Sequence, residues 1–60
     1  MKSLFKENEF VKHFETGVIY EVVEVLKGKF QFFYILKTED GRIIDTPFRE
    51  IQLVSPDKSV

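Results

Sequence analysis

His13 is the only histidine of this 60-residue chain, and cysteine is absent. Nucleophilic and general acid–base catalysis need a base held beside a nucleophile, or a pair of carboxylates in different environments. The sequence neighbours of His13, Lys12 and Phe14, supply neither. A lone histidine at the end of a strand is expected to be structural or solvated. Asp40 is accounted for by the turn it forms with Gly41. Asp45 has Arg42 and Arg49 within reach as surface ion-pair partners of small worth. The remaining carboxylates are scattered, without the grouping a metal ion requires, and no glycine-rich loop leads into a helix to cradle phosphate. The expectation is a protein that is not an enzyme and uses no metal or cofactor.

A fainter pattern concerns binding. Lys27 and Lys29 flank one glycine, Lys37 and Arg42 flank an Asp-Gly pair, and Phe33 lies between. Cations interleaved with aromatic rings are the equipment of single-stranded nucleic-acid binders. Glu21, Glu24, Glu39 and Asp40 sit among the same segments and oppose that field. Lysines at hairpin tips also serve as ordinary protection against edge-to-edge aggregation. Charge is nearly balanced at a formal −1, without the basic excess of duplex-DNA binders. No apolar stretch nears the ~20 residues that span a bilayer. The first ten residues carry charge where a secretory signal would be apolar. The default expectation is a cytoplasmic protein with no membrane partner.

These side chains must be positioned by one small domain. A chain this short buries only about 60% of the surface it exposes when unfolded, and its core supplies ~3–5 kcal/mol at most. With no disulfide or metal available, the apolar content must compensate, and seven phenylalanines are a large supply. Residues 18–26 (VIYEVVEVL) are β-branched and residues 30–37 (FQFFYILK) aromatic, both strand compositions. Lys27-Gly28-Lys29 between them reads as a hairpin link. Asp40-Gly41 reads as a type I′ turn into a fourth strand over residues 42–46. Residues 9–13 form a first strand, with Gly17 supplying a left-handed turn position. Pro47 ends the fourth strand, one 3-10 turn follows, and residues 51–54 close the set. Residues 55–60 form a polar tail. A helix over residues 3–14, capped by Ser3, is the competing reading of the N-terminus, but Glu7 and Asn8 interrupt its apolar face.

The run EFVKHFETGVIYEVVEV resembles the opening hairpin of SH3-like barrels of the KOW and Tudor type. The run YILKTEDGRIIDTPFREIQLV is similar to their second half, and together the resemblance covers residues 8–54. It implies an all-β, five-stranded SH3-like barrel over residues 1–54, with residues 1–8 an N-terminal segment packing on the barrel. Tyr20 stands where the KOW pattern carries a second glycine. The loops hold mainly Phe14 and Phe48, so a methyl-lysine cage is not carried over. Folds of this kind host many functions.

Period-two alternation sorts the faces. Phe32, Tyr34 and Leu36 share one face, which the resemblance places inside, joined by Ile44 and Ile51. The second strand is apolar on both faces, and a bulge or bend would let Val22 and Val25 both point inward. Phe33, Ile35 and Ile43 are left pointing outward on adjacent strands. A cluster of that kind marks an interaction surface unless Leu4 and Phe5 fold back over it. The leading expectation is a non-catalytic binding or adaptor module that engages a protein partner, or itself as a homodimer, through Phe33, Ile35 and Ile43. The alternative is weak nucleic-acid binding through Lys27, Lys29, Lys37 and Arg42.

Overall fold

A computed structural model describes residues 2–56. They form one antiparallel five-stranded sheet: β1 (Phe10–His13), β2 (Ile19–Lys27), β3 (Phe32–Lys37), β4 (Phe48–Arg49) and β5 (Leu53–Val54). A 3-10 turn, η1 (Glu50–Gln52), precedes β5. The all-β expectation is met, and a 3-10 turn does precede the last strand, but it lies at Glu50–Gln52, so the last strand begins at Leu53 rather than at residue 51. Residues 57–60 of the expected tail lie outside the described residues.

Strand order across the sheet is β4-β3-β2-β1-β5. β4 and β5 therefore occupy opposite edges although only η1 separates them in sequence. Four inter-strand gaps in a flat sheet would set these edges ~19 Å apart. The four Cα steps from Arg49 to Leu53 reach ~14 Å at most, and less when coiled as a 3-10 turn. The sheet is thus strongly curled, with η1 bridging its two edges.

Much of the bending is supplied by β2. Its register against β3 slips between Val22 and Glu24, which leaves Val23 as the extra residue of a bulge. Val22 lies opposite Leu36, and Val25 lies opposite Tyr34. Val22 is buried and Val25 packs against the core, as alternation with one bulge requires. Phe32, Tyr34 and Leu36 all point inward and are buried with Phe5, Val11, Val22 and Leu53. Tyr20, Val25 and Phe48 pack against that cluster.

Four local expectations are corrected. The strand over residues 42–46 is absent. Ile43 makes one isolated bridge to Lys37, and the chain pairs again only at Phe48 and Arg49. Between these contacts the register against β3 slips by two residues, taken up around Asp45, Thr46 and Pro47. Proline has no N–H to give the ladder, so the strand breaks there rather than ending. The Asp40-Gly41 turn is not type I′. Only Gly41 has positive φ (93°), its amide bonds the Thr38 carbonyl, and the Thr38 amide bonds the Arg42 carbonyl. That is a type I turn followed by a G1 bulge, in which glycine takes the left-handed position and Asp40 keeps an ordinary one.

The other two concern the core. Ile51 is exposed and Leu53 takes the buried place in the last segment, because Ile51 lies inside the 3-10 turn, where a three-residue period replaces strand alternation, and β5 begins only at Leu53. Ile44 is half-buried. No helix forms at residues 3–14. Asn8 sits at φ 73°, and its amide bonds the Val22 carbonyl, steering the chain into β1.

Candidate docking surface

The outward band read from the alternation is present on the sheet. Phe33 and Ile35 lie two residues apart on the outer face of β3, and Ile43 bridges Lys37 on the neighbouring segment. Phe33 and Ile35 are half-buried, while Ile43 is exposed. Phe33 faces Leu26 on β2 and Arg49 on β4. Its ring lies over Gly28, where an added Cβ would fall 2.6 Å from Phe33 Cε1. The ring is therefore spent partly on covering a glycine. Leu4 and Phe5 do not cover this band. Phe5 is buried against Tyr34 with ring centroids 5.6 Å apart, and Leu4 is exposed. Phe5 of the N-terminal segment packs on the sheet from the core side of β3.

A second apolar surface is more exposed. Among the described residues the three most exposed large apolar side chains are Phe30 (82%), Ile51 (74%) and Leu4 (70%). All three line one depression, with Leu53, Arg49 and Glu50. Three separate segments deliver them. Phe30 is carried by the β2–β3 link, a four-residue loop closed by the Gly28 amide on the Gln31 carbonyl at 2.8 Å. Ile51 is central in η1, whose first turn is tied by the Arg49 amide on Gln52 Oε1 at 2.9 Å. Leu4 is held by its own amide, which donates to Glu50 Oε2 at 2.9 Å.

Glu50 is the hub of this corner. Its Oε2 also accepts the Tyr34 hydroxyl at 2.6 Å, and the Phe5 amide donates to that hydroxyl at 3.4 Å. Burial, followed by the hydrogen bond to Glu50, raises Tyr34 above its ordinary value of 10.0, so the phenol stays protonated and donating. Oε2 is thereby occupied from within the fold.

The cations proposed for nucleic acid do not converge. Lys27 lies opposite Phe32 at one end of β3, and Lys37 lies at its other end, about 17 Å away along the strand. Lys29 sits in the link beside Phe30, with Nζ 5.8 Å from that ring's centroid. Lys37 pairs with Glu21 at 3.7 Å, and Arg42 pairs with Asp40 at 3.8 Å. Thr38 Oγ1 also bonds Asp40. The four charges form two separate pairs at opposite ends of one hairpin.

His13 has a structural role. It is buried, its ring stacks on Phe14 and meets Phe48 edge-on, and Nδ1 accepts the amides of Glu15 (3.1 Å) and Thr16 (3.3 Å). Nδ1 therefore carries a lone pair, and the ring organises the loop ending at Gly17 (φ 76°). Among the described residues no three histidine, aspartate or glutamate side chains are grouped to hold a metal ion, and no helix is long and apolar enough to cross a membrane.

The sequence reading missed the Leu4–Phe30–Ile51 depression. The available signal was an aromatic directly after Lys-Gly-Lys, where a loop one residue longer than the shortest reading expels it from the strand. No family model, curated protein or solved structure matches this chain.

Proposed function

We propose that this chain is a non-catalytic, cytoplasmic binding module, built as a small SH3-like barrel, that engages a protein partner through apolar surface. The observation that carries the reading is the convergence of Leu4, Phe30 and Ile51 on one depression. Singly exposed apolar residues are ordinary, whereas a contiguous group on a small domain marks a contact surface. A core this small has few apolar side chains to spare for solvent. The outer band of Phe33, Ile35 and Ile43 is a second, shallower surface, suited to self-association.

The weak nucleic-acid reading through Lys27, Lys29, Lys37 and Arg42 has less support, because two of these cations are matched by carboxylates.

Peptide selection, sedimentation and an oligonucleotide titration test the proposal together. A randomised phage-displayed peptide library is selected on the wild-type domain and on Ile51→Lys, and the wild type is sedimented across a concentration series. Peptides selected by the wild type and lost in Ile51→Lys support docking at the depression. Assembly that Phe33→Lys abolishes assigns the contact to the outer band. A domain that stays monomeric and selects nothing, but whose amides shift with short single-stranded oligonucleotides at low salt, overturns the reading.

A further inference from the structure

The Leu4–Phe30–Ile51 depression has two cations about it and one carboxylate. Arg49 lines it and is exposed, and Lys29 stands beside Phe30 in the same loop. Among the described residues neither cation lies within ion-pairing distance of a carboxylate; the ion pairs that form are Lys37–Glu21 and Arg42–Asp40. The one anion of the rim, Glu50, turns its Oε2 toward the Leu4 amide and the Tyr34 hydroxyl and is outnumbered by the two cations, so the balance of charge about the depression is positive. From this we propose that the depression takes a peptide segment of another protein, one that combines apolar anchor side chains with flanking aspartate or glutamate. This rests on the docking reading above and adds the chemistry of the partner.

Two alternatives fit the same surface less well. A second copy docked isologously would bring together two patches that each carry two cations and one anion, a net like-charge approach. A nucleic acid would satisfy the cations, but stacking needs aromatic faces, and two of the three anchors, Leu4 and Ile51, are aliphatic. Peptide side chains such as Leu, Ile or Phe match an aliphatic and aromatic lining, and carboxylates beside them match the rim.

The experiment repeats the peptide selection on the double variant Lys29→Glu/Arg49→Glu, both exposed positions outside the core. The best wild-type peptide is then synthesised and titrated into labelled protein. The expected result is wild-type enrichment of apolar residues flanked by Asp or Glu, and a change to Lys- or Arg-flanked sequences in the double variant. The wild-type peptide should shift amides around residues 4, 30 and 51 and bind the double variant at least about fivefold more weakly. Retained amide dispersion in the double variant shows that the fold is intact. Peptides that map to the depression but lack acidic flanks, or are unchanged by charge reversal, overturn the partner chemistry while leaving the docking reading standing. Selection of no peptide by the wild type overturns both. Oligonucleotide-induced shifts at the same amides, lost in the double variant, replace the peptide by nucleic acid.

Discussion

The Tyr34 hydroxyl and the Glu50 carboxylate meet at 2.6 Å, and through that one oxygen the centre of the sheet, the 3-10 turn and the N-terminal segment are joined. Tyr34→Phe removes the donor to Glu50 and the acceptor for the Phe5 amide while keeping the ring against Phe5. The expected loss is about 1–3 kcal/mol. For a domain of this size each kcal/mol lowers the melting temperature by about 4–8 °C. Glu50→Gln keeps an acceptor and should cost less. In a double-mutant cycle the two losses should fall short of additive, since either change breaks the same contact.

The same contact predicts a pH dependence. Tyr34 is raised above its ordinary value, so the unfolded chain releases this proton at lower pH than the folded one. Its contribution is fully present below about pH 10 and declines as pH rises through the folded value. Denaturant unfolding from pH 8.5 to pH 11 should show a decline above pH 10 that is shallower in Tyr34→Phe. Equal slopes in the two proteins would remove the assignment.

Gly28 and the two positive-φ glycines should respond to alanine for different reasons. At Gly28 the new Cβ would fall 2.6 Å from Phe33 Cε1 and 2.7 Å from the Gln31 carbonyl oxygen. Overpacking there should cost about 1–3 kcal/mol. Replacing the Phe33 ring by a smaller aliphatic side chain, Phe33→Leu, should recover part of it. Gly17 and Gly41 have open space at that position, so alanine there meets only the backbone penalty of about 1–2 kcal/mol. Asparagine should be tolerated better than alanine at both. Thermal melts of the single and double variants separate the two cases.

His13 separates packing from hydrogen bonding. His13→Asn offers an oxygen acceptor near the place of Nδ1 but loses the ring contacts with Phe14 and Phe48. His13→Leu keeps apolar bulk but leaves the Glu15 and Thr16 amides without their acceptor. Amide exchange at those two residues should quicken in His13→Leu and stay near wild type in His13→Asn. Both variants should lose about 1–2 kcal/mol overall.

What could be read in advance follows from how local each signal is. Alternation within a strand is local, so Phe32, Tyr34 and Leu36 read as one face, which the resemblance puts inside and the core contains, and the two apolar faces of β2 point to a bulge or bend of the kind that brings Val22 and Val25 to one face. The left-handed position of Gly17 was equally legible. Where a strand begins depends on loop length, and that is set by pairing across the hairpin. The four-residue loop after Lys27 therefore turned Phe30 from a strand residue into an exposed one. Ile51 reads as the first residue of the last strand, whereas it lies inside the 3-10 turn. Leu4 depends on a bond to Glu50, 46 residues away, which no local pattern contains. The candidate docking surface is made of these three side chains, each placed by something other than its own neighbours.

The edge-to-edge span of η1 also sets an order of assembly. The β2–β3 hairpin joins residues close in sequence, whereas the β1–β5 pairing and the Leu4–Glu50 bond close long loops. Long-loop contacts carry the larger entropic toll and form late. Val25→Ala should therefore slow folding, while Leu53→Ala should chiefly accelerate unfolding, which the two limbs of a chevron resolve. How quickly this protein comes into being and how long it lasts are thus governed by different residues, the first by its middle hairpin and the second by the short stitch that draws its two edges together.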